Sequence, residues 1–301
     1  MDDPLEKNSS KTVLIAGCGY VGRALALHLV ESGRKVIGLT HSQTSAEELR
    51  REVTFDVHAC DISSPDEVAK FAQNLPIDSS QLQIVHCASS GRGKLDAYDK
   101  VYHQGCRNLA TSFPGACLLF TSSTSVYPQI AGEVVTELSS AEPERETGKI
   151  LRKAENFVIS QGGIVARLAG LYGPGRSVLL KKFLNKTAII ETGPSRFLNQ
   201  IHRDDVVGAI ATLLIHEEDA RGEIFNVSDG NPTSQKATYI ALSEHFGLPR
   251  PPEGPPDHNR KRGWTHKQIS NQKLRDFGWE PIYPTFLDAV RTDAEALCPK
   301  S

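Results

Sequence analysis

Val13-Leu14-Ile15-Ala16 runs directly into Gly17-Cys18-Gly19-Tyr20-Val21-Gly22, and the chain continues through Arg23 to Ser32. The apolar run predicts a strand. The glycines predict a tight turn, and Val21, Ala24, Leu25 and Leu29 at helical spacing predict a helix. Gly33 stands where a helix C-terminal glycine belongs. The glycines of the turn act differently. Gly17 permits the bend, Gly19 lets a large anion approach the backbone, and Gly22 lets helix and strand pack closely. A helix opening on such a turn presents free N–H groups and a partial positive charge. The loop from Gly17 through Gly19, Tyr20 and Val21 to Gly22 is therefore the candidate contact for a dinucleotide's pyrophosphate.

Working outward, the first half of the chain alternates short apolar runs with amphipathic stretches. The runs are Val13–Ala16, Val36–Leu39, Val57–Cys60, Ile84–Ala88, Cys117–Phe120 and Ile164–Leu168. This alternation predicts an α/β fold: a modified Rossmann, doubly wound parallel sheet with helices on both faces. Ser64-Pro65-Asp66-Glu67 reads as an N-cap, a proline at N1 and acids in the first turn of a helix. After Gly173-Pro174-Gly175 the rhythm becomes irregular. The expected division is a dinucleotide-binding domain over 11–175 and a smaller C-terminal substrate lobe over 176–298, with about 201–228 returning to the first domain. In that returning stretch a helix is expected from Asp204, as its cap, to about His216, followed by a strand over Glu223–Val227. Proline-rich Arg250 to Pro256 reads as a loop. The basic run His258–Arg262 after it is either a solvated loop or a clamp on an anionic substrate.

At 301 residues the chain has ample length to bury a core. A formal charge of −2 gives no electrostatic case for nucleic acid or anionic membranes. The six cysteines lack CxxC or metal-ligand spacing, so no metal site is expected and a reduced, cytoplasmic compartment fits. No apolar stretch approaches about 18 residues, so no membrane span is indicated. Met1 to Lys11 is polar, unlike a signal peptide, and reads as a disordered tail. The expected partner is a small-molecule substrate, and the expected state is a monomer or homodimer.

Sites that prefer NAD usually place a carboxylate at the end of the second strand, for the ribose hydroxyls. Here the position is Thr40, followed by His41 and Ser42. No acid repels a 2′-phosphate and no arginine stands there to embrace it, although Arg23, Arg50 and Arg51 are nearby helpers. The balance favours NADP over NAD. Asp61 either accepts a bond from the adenine amino group or caps the turn into Ile62-Ser63-Ser64. His86, Cys87 and Ala88 are expected beside the cofactor.

Taken in order, Gly17–Gly22, Asp61-Ile62, His86-Cys87-Ala88, Thr121 through Tyr127, Arg167 through Gly175, Ile201 through Val206, Phe225-Asn226-Val227 and Leu274 through Pro281 resemble the extended short-chain dehydrogenase/reductases, the NAD-dependent epimerase/dehydratase family. The resemblance spans residues 11 to about 292. It implies a nicotinamide cofactor and a sugar-nucleotide or similar polar substrate. The family's chemistry uses a Ser or Thr with a Tyr-x-x-x-Lys pair, the lysine lowering the tyrosine pKa. Ser123 falls at the Ser/Thr position. Anchored on Glu155, Thr147 stands where the tyrosine belongs and Leu151 where the lysine belongs. The chain thus resembles an atypical subgroup that keeps the cofactor loop, loses the pair, and carries a Gly-Lys such as Gly148-Lys149.

A threonine hydroxyl cannot serve as the acid/base, and a leucine tunes nothing. Candidate replacements are Tyr102, at a position where the typical family has Asn, and Tyr127. Each is alternatively a packing aromatic with a satisfied hydroxyl. Lys149, on the same helix as Thr147, is a third candidate and alternatively a solvated surface residue. Arg167, Tyr172, Arg176 and His202 are candidate substrate contacts; His202 alternatively braces the second domain, and Arg167 and Arg176, like Arg196 and Arg203, either meet phosphate or brace loops. The expected activity is that of an oxidoreductase or epimerase/dehydratase with a nonstandard proton-transfer group. The alternatives are a dinucleotide-holding redox sensor without turnover, and a reductase that uses hydride transfer with solvent protons.

Overall fold

Every residue of Thr12–Ala16 is buried. A strand with no exposed face needs cover on both sides, and a computed structural model of the chain supplies it. The structure describes residue 8 and residues 10–91, 94–193, 195–256 and 265–299. The chain divides into two compact units. Unit 1 comprises Met1–Val126, Glu142–Arg167 and Val207–Phe225; unit 2 comprises Tyr127–Ala141, Leu168–Val206 and Asn226–Ser301.

The central sheet has seven strands: β1 (Thr12–Ala16), β2 (Val36–Thr40), β3 (Asp56–Ala59), β4 (Leu82–His86), β5 (Cys117–Ser123), β6 (Ile164–Leu168) and β7 (Ile224–Val227). Their spatial order is β7-β6-β5-β4-β1-β2-β3. The pairs β1–β2, β1–β4, β2–β3 and β4–β5 are parallel. The strand order therefore reverses between β1 and β4, and the glycine turn follows β1 at that switch point, where open α/β sheets bind ligands.

The helices that flank or lead into the sheet are α1 (Tyr20–Glu31), α2 (Gln43–Arg50), α3 (Pro65–Asn74), α4 (Gly105–Ser112), α5 (Glu146–Ser160) and α6 (Arg203–Ile215), and further helices, among them Gln235–Phe246 and Phe286–Leu297, belong to unit 2. Local chemistry sets their ends as the sequence predicts for α1 and α3. Gly33, just past α1, has φ +80°. The Ser64 hydroxyl accepts the Glu67 N–H at the start of α3, with Pro65 in its first turn.

Three local expectations need correction. Asn8 and Lys11 do not belong to a loose tail. Asn8 is buried and donates Nδ2 to the Ile215 carbonyl at 3.0 Å. The Lys11 ammonium reaches both carboxylate oxygens of Glu217, at 3.0 and 2.9 Å, and Gln83 donates to the same group. Partners 206 residues apart in sequence leave no local signal. Asp204 does not cap α6, which already begins at Arg203; its N–H donates to His202 Nδ1 and its carboxylate pairs with Arg203. Within Arg250–Pro256, Glu253–Gly254 pairs in parallel with Ile190–Glu191, because the prolines flank the pairing residues. The basic run His258–Arg262 lies outside the described residues.

Unit 2 has its own core, with Tyr172, Leu180, Phe183, Tyr239, Leu242 and Phe286 among its members. Unit 1 carries a buried ionic cluster. The Glu155 carboxylate on α5 accepts Arg167 Nε and Nη2 from β6, at 3.1 and 2.7 Å. It also accepts Ser122 Oγ from β5 at 2.5 Å, and it pairs with Arg152. Glu155 and Arg167 are 0% and 1% exposed, so neither is solvated if the other is lost. Glu155→Ala is expected to cost about 3–5 kcal/mol of stability, the range for an uncompensated buried charge. Urea denaturation checks this, and a loss under about 1 kcal/mol contradicts the assignment.

Candidate functional site

The glycine turn is held by close backbone contact. A Cβ on Gly17 would lie 2.4 Å from Ala88 Cα and N, and Gly17 has φ +100°. A Cβ on Gly22 would lie 2.2 Å from the Gly17 carbonyl oxygen. Both positions are closed to side chains by backbone that cannot yield. Gly19 is different, since a Cβ there meets nothing within 4 Å among the described residues. The α1 N-terminus has no side-chain cap and no acid in its first turn. Open space, free amide donors and a helix dipole at one point fit a pyrophosphate.

The groups around the turn follow from the strand ends. Thr40 is buried, and its hydroxyl donates to the Ser42 carbonyl at 3.1 Å. His41 is exposed, with Nδ1 3.4 Å from Asp61 Oδ1. The Asp61 carboxylate also accepts the Ser63 N–H at 2.9 Å, so it caps its own turn. Ile62 is buried. His86 is buried at the end of β4, its Nε2 2.9 Å from the Val101 carbonyl. Burial lowers its pKa and favours the neutral ring. Cys87 is tied to β1 by its N–H on the Ala16 carbonyl. Burial pushes the Cys18 thiol up to about 12, so this cysteine packs rather than reacts.

The candidate proton-transfer residues have separate fates. Ser123 ends β5, and its hydroxyl accepts the Ser125 N–H at 3.2 Å, which leaves its proton available for a further partner. Tyr102 lies in a π-helical turn, Lys100–Gln104, between the helix Leu95–Asp99 and α4. Its half-buried ring stacks on His86 at 6.3 Å and meets Phe120 edge-on at 6.2 Å. Its hydroxyl lies 3.4 Å from Ser89 Oγ. Such single π turns are frequent at functional sites. Tyr127 is 1% exposed and donates to Asn226 Oδ1 at 2.9 Å. Lys267, which no motif in the sequence marks, sits 5.7 Å from the Tyr127 ring centre and donates to the Tyr127 carbonyl. Tyr127 thus braces unit 2.

The substrate candidates also separate. Arg167 belongs to the Glu155 cluster and is withdrawn from solvent. Arg176 is exposed and bridges through its backbone to Gly173. His202 is buried between the rings of Tyr172 and Tyr283, at 5.2 and 4.3 Å, and takes the Asp204 N–H. Tyr172 lines a pocket of about 380 Å3 within unit 2, together with Ser177, Glu191, Arg196, Gln200 and Gln235. Nothing in the linear sequence marks Ser177, Glu191, Gln200 or Gln235, because their proximity arises from loops that meet only in the fold.

The family model described as NAD dependent epimerase/dehydratase family matches residues 13–228. The chain belongs to that family. It is 29% identical over 284 residues to Protein YeeZ of Escherichia coli (strain K12), covering 91% of this chain and 97% of the relative. The fold is similar to that of a putative NAD-dependent epimerase/dehydratase from Methylobacillus flagellatus, with a TM-score of 0.75 at 24% identity over 95% and 98% of the two chains. It is also similar to that of dTDP-glucose 4,6-dehydratase from Bacillus anthracis str. Ames in complex with NAD, with a TM-score of 0.76 at 16% identity over 94% of each chain. In this member of the family, Thr147 is half-buried in the first turn of α5 and Leu151 is buried one turn later. Lys149 is exposed and paired with Glu146 at 2.7 Å.

Two buried carboxyls near Tyr172 give this family member a pH signature. Burial raises Asp229 to about 8 and Asp205 to about 6, against the opposing pull of backbone N–H groups that donate to each. The folded state therefore holds protons that the unfolded chain releases above the ordinary value of 3.8. This contribution to stability is fully present below that value and is lost as pH rises through about 6 and then about 8. Asp229→Asn is expected to remove most of the decline between about pH 5 and pH 8 in urea melts; an unchanged slope contradicts it.

Proposed function

We propose that this protein is an NAD(P)-dependent oxidoreductase or epimerase/dehydratase acting on a sugar-nucleotide or similar polar substrate with a nonstandard acid/base. The observation that carries this reading is the Gly17–Gly22 turn at the sheet's switch point, closed to side chains at Gly17 and Gly22 and open at Gly19. Membership in the family supports the chemistry class. When bound, the nicotinamide supplies or accepts a hydride. The α1 N-terminus holds the pyrophosphate, and Thr40 with His41 meets the ribose end. Because no carboxylate occupies position 40, NADPH is the favoured form.

At the substrate, Ser123 donates a hydrogen bond to the oxygen that gains charge. Tyr102 supplies or takes the proton. Of the two phenols, Tyr102 is the half-buried one, whereas Tyr127 is committed to Asn226. Thr147 takes no part in proton transfer. A second reading, dinucleotide binding without turnover, draws on the buried Leu151 at the position of the family lysine. Hydride exchange between cofactor and any ligand separates the two.

Gly19→Val is expected to abolish NADPH binding in calorimetry while the melting temperature holds. Gly17→Ala and Gly22→Ala should instead lower the melting temperature, since each places a methyl 2.4 Å and 2.2 Å, respectively, from backbone atoms. Unchanged affinity in Gly19→Val rejects the loop assignment. A tenfold preference for NADH, about 1.4 kcal/mol, rejects the cofactor preference, and Thr40→Asp should shift the balance toward NADH.

With a turning-over substrate, Ser123→Ala should lower the rate roughly 10- to 1,000-fold. Tyr102→Phe should lower it and alter the pH profile, whereas Thr147→Val should cost little. A Tyr102→Phe variant with full activity across the pH range removes the phenol from the mechanism.

A further inference from the structure

The π turn that carries Tyr102 has a local cause. A regular α-helix sends each N–H to the carbonyl four residues back, which for Gly105 is Val101. The Gly105 N–H goes instead to the Lys100 and Tyr102 carbonyls. The Val101 carbonyl takes a side chain, His86 Nε2, at 2.9 Å. A carbonyl has no proton to give, so the histidine donates. Burial keeps its ring neutral, with the one proton on Nε2. A side chain inserted into the helical ladder is a known cause of such a break.

The surroundings hold this insertion in place. A Cβ on Gly105 would lie 3.2 Å from His86 Nε2 and 3.1 Å from Ile62 Cδ1, so a side chain there would crowd the histidine. The His86 ring is fully buried and meets Phe120 edge-on at 5.3 Å. Its backbone pairs with Ala16 of β1 and Phe120 of β5, and its carbonyl accepts Thr121 Oγ1 at 2.9 Å. The sheet therefore dictates where Nε2 stands, and Nε2 dictates where the helix opens.

The opening decides the place of Tyr102. One extra residue in a turn rotates the flanking chain by about 100° relative to a regular helix. With the π turn formed, the Tyr102 ring stacks on His86 at 6.3 Å and 20°. Its hydroxyl then lies 3.4 Å from Ser89 Oγ, on the segment that leaves β4 just after His86. We propose that His86 is a positioning residue for Tyr102, acting through its Nε2–H on the Val101 carbonyl to hold the π turn and so to aim the phenol. The proposal rests on the reading in which Tyr102 moves the proton, and it assigns to one buried hydrogen bond the aim of that group.

The test is fluorine NMR of the full chain labelled with 3-fluorotyrosine, without cofactor or substrate. The seven tyrosines give seven reporters, and Tyr102→Phe identifies the one at 102. His86→Phe keeps a ring and removes the donor, so the Tyr102 resonance should move by more than its linewidth, with Tyr172 and Tyr239 of unit 2 unmoved. His86→Gln keeps an N–H donor and loses the ring, and it should restore the parent resonance. Gly105→Ala leaves His86 in place and crowds its Nε2, so it should move the same resonance and serves as the independent variant. A Tyr102 resonance that stays put in His86→Phe and Gly105→Ala overturns the proposal. So does one that moves as far in His86→Gln as in His86→Phe, since packing rather than the hydrogen bond would then set it. Failure of both His86→Phe and Gly105→Ala to fold makes the histidine a brace of the fold and also overturns it. With a turning-over substrate, His86→Phe should lower kcat about 100-fold, the cost of a misplaced group, with KM little changed, and His86→Gln should recover most of the loss. The two readings separate cleanly: a shifted resonance with full turnover supports the positioning while sinking Tyr102 as proton donor, and an unshifted resonance sinks the positioning alone.

Discussion

The Glu155 carboxylate is the constraint around which unit 1 is arranged. It collects Arg167 from β6, Ser122 from β5 and Arg152 from its own helix. Three elements of the chain are thereby fixed to one charged group that water does not reach. Desolvating an ion pair is unfavourable unless its geometry is good and its remaining valences are filled, and both conditions hold here. The consequence reaches the chemistry, because Ser122 is the neighbour of Ser123. The hydroxyl expected at the substrate stands next to the one that anchors the helix. The position of α5 is thus set by Glu155, and the same helix carries Thr147 in its first turn and the buried Leu151 one turn later.

Tyrosines in this chain show how environment gives one side chain several roles. Tyr127 is buried with its hydroxyl spent on Asn226. Tyr102 is half-buried on a π turn beside His86 and Ser89. Tyr172 is buried, and its hydroxyl has no hydrogen-bond partner among the described residues. Only solvent access and hydrogen-bond partners distinguish them, and neither property is written in the residue type.

That difference also explains what was legible in the sequence. The glycine turn, the alternation of strands and helices, and the Ser64 cap depend on residues close together in the chain, so periodicity and turn chemistry reveal them. The parallel sheet and the family follow from the same local signals taken in order. The roles of Arg167, His202 and Tyr127 depend on partners met only after folding, and an arginine in an apolar strand reads equally well as a ligand contact or as a brace. Ser177 and Glu191 carry no pattern at all. Lys11 reads as the end of a tail because its partner, Glu217, lies 206 residues away.

The way unit 1 is assembled from three separated stretches has a consequence for how the chain matures. During synthesis β5 emerges long before β6 and β7, so the nascent sheet carries an open edge while the intervening residues are made. Lys11 waits even longer, since the acid that neutralises it arrives with α6 and the turn beyond it. Contacts of such sequence separation slow folding. This unit therefore cannot close as its N-terminal half leaves the ribosome, and ribosome-bound chains ending before Phe225 are the ones most in need of chaperones.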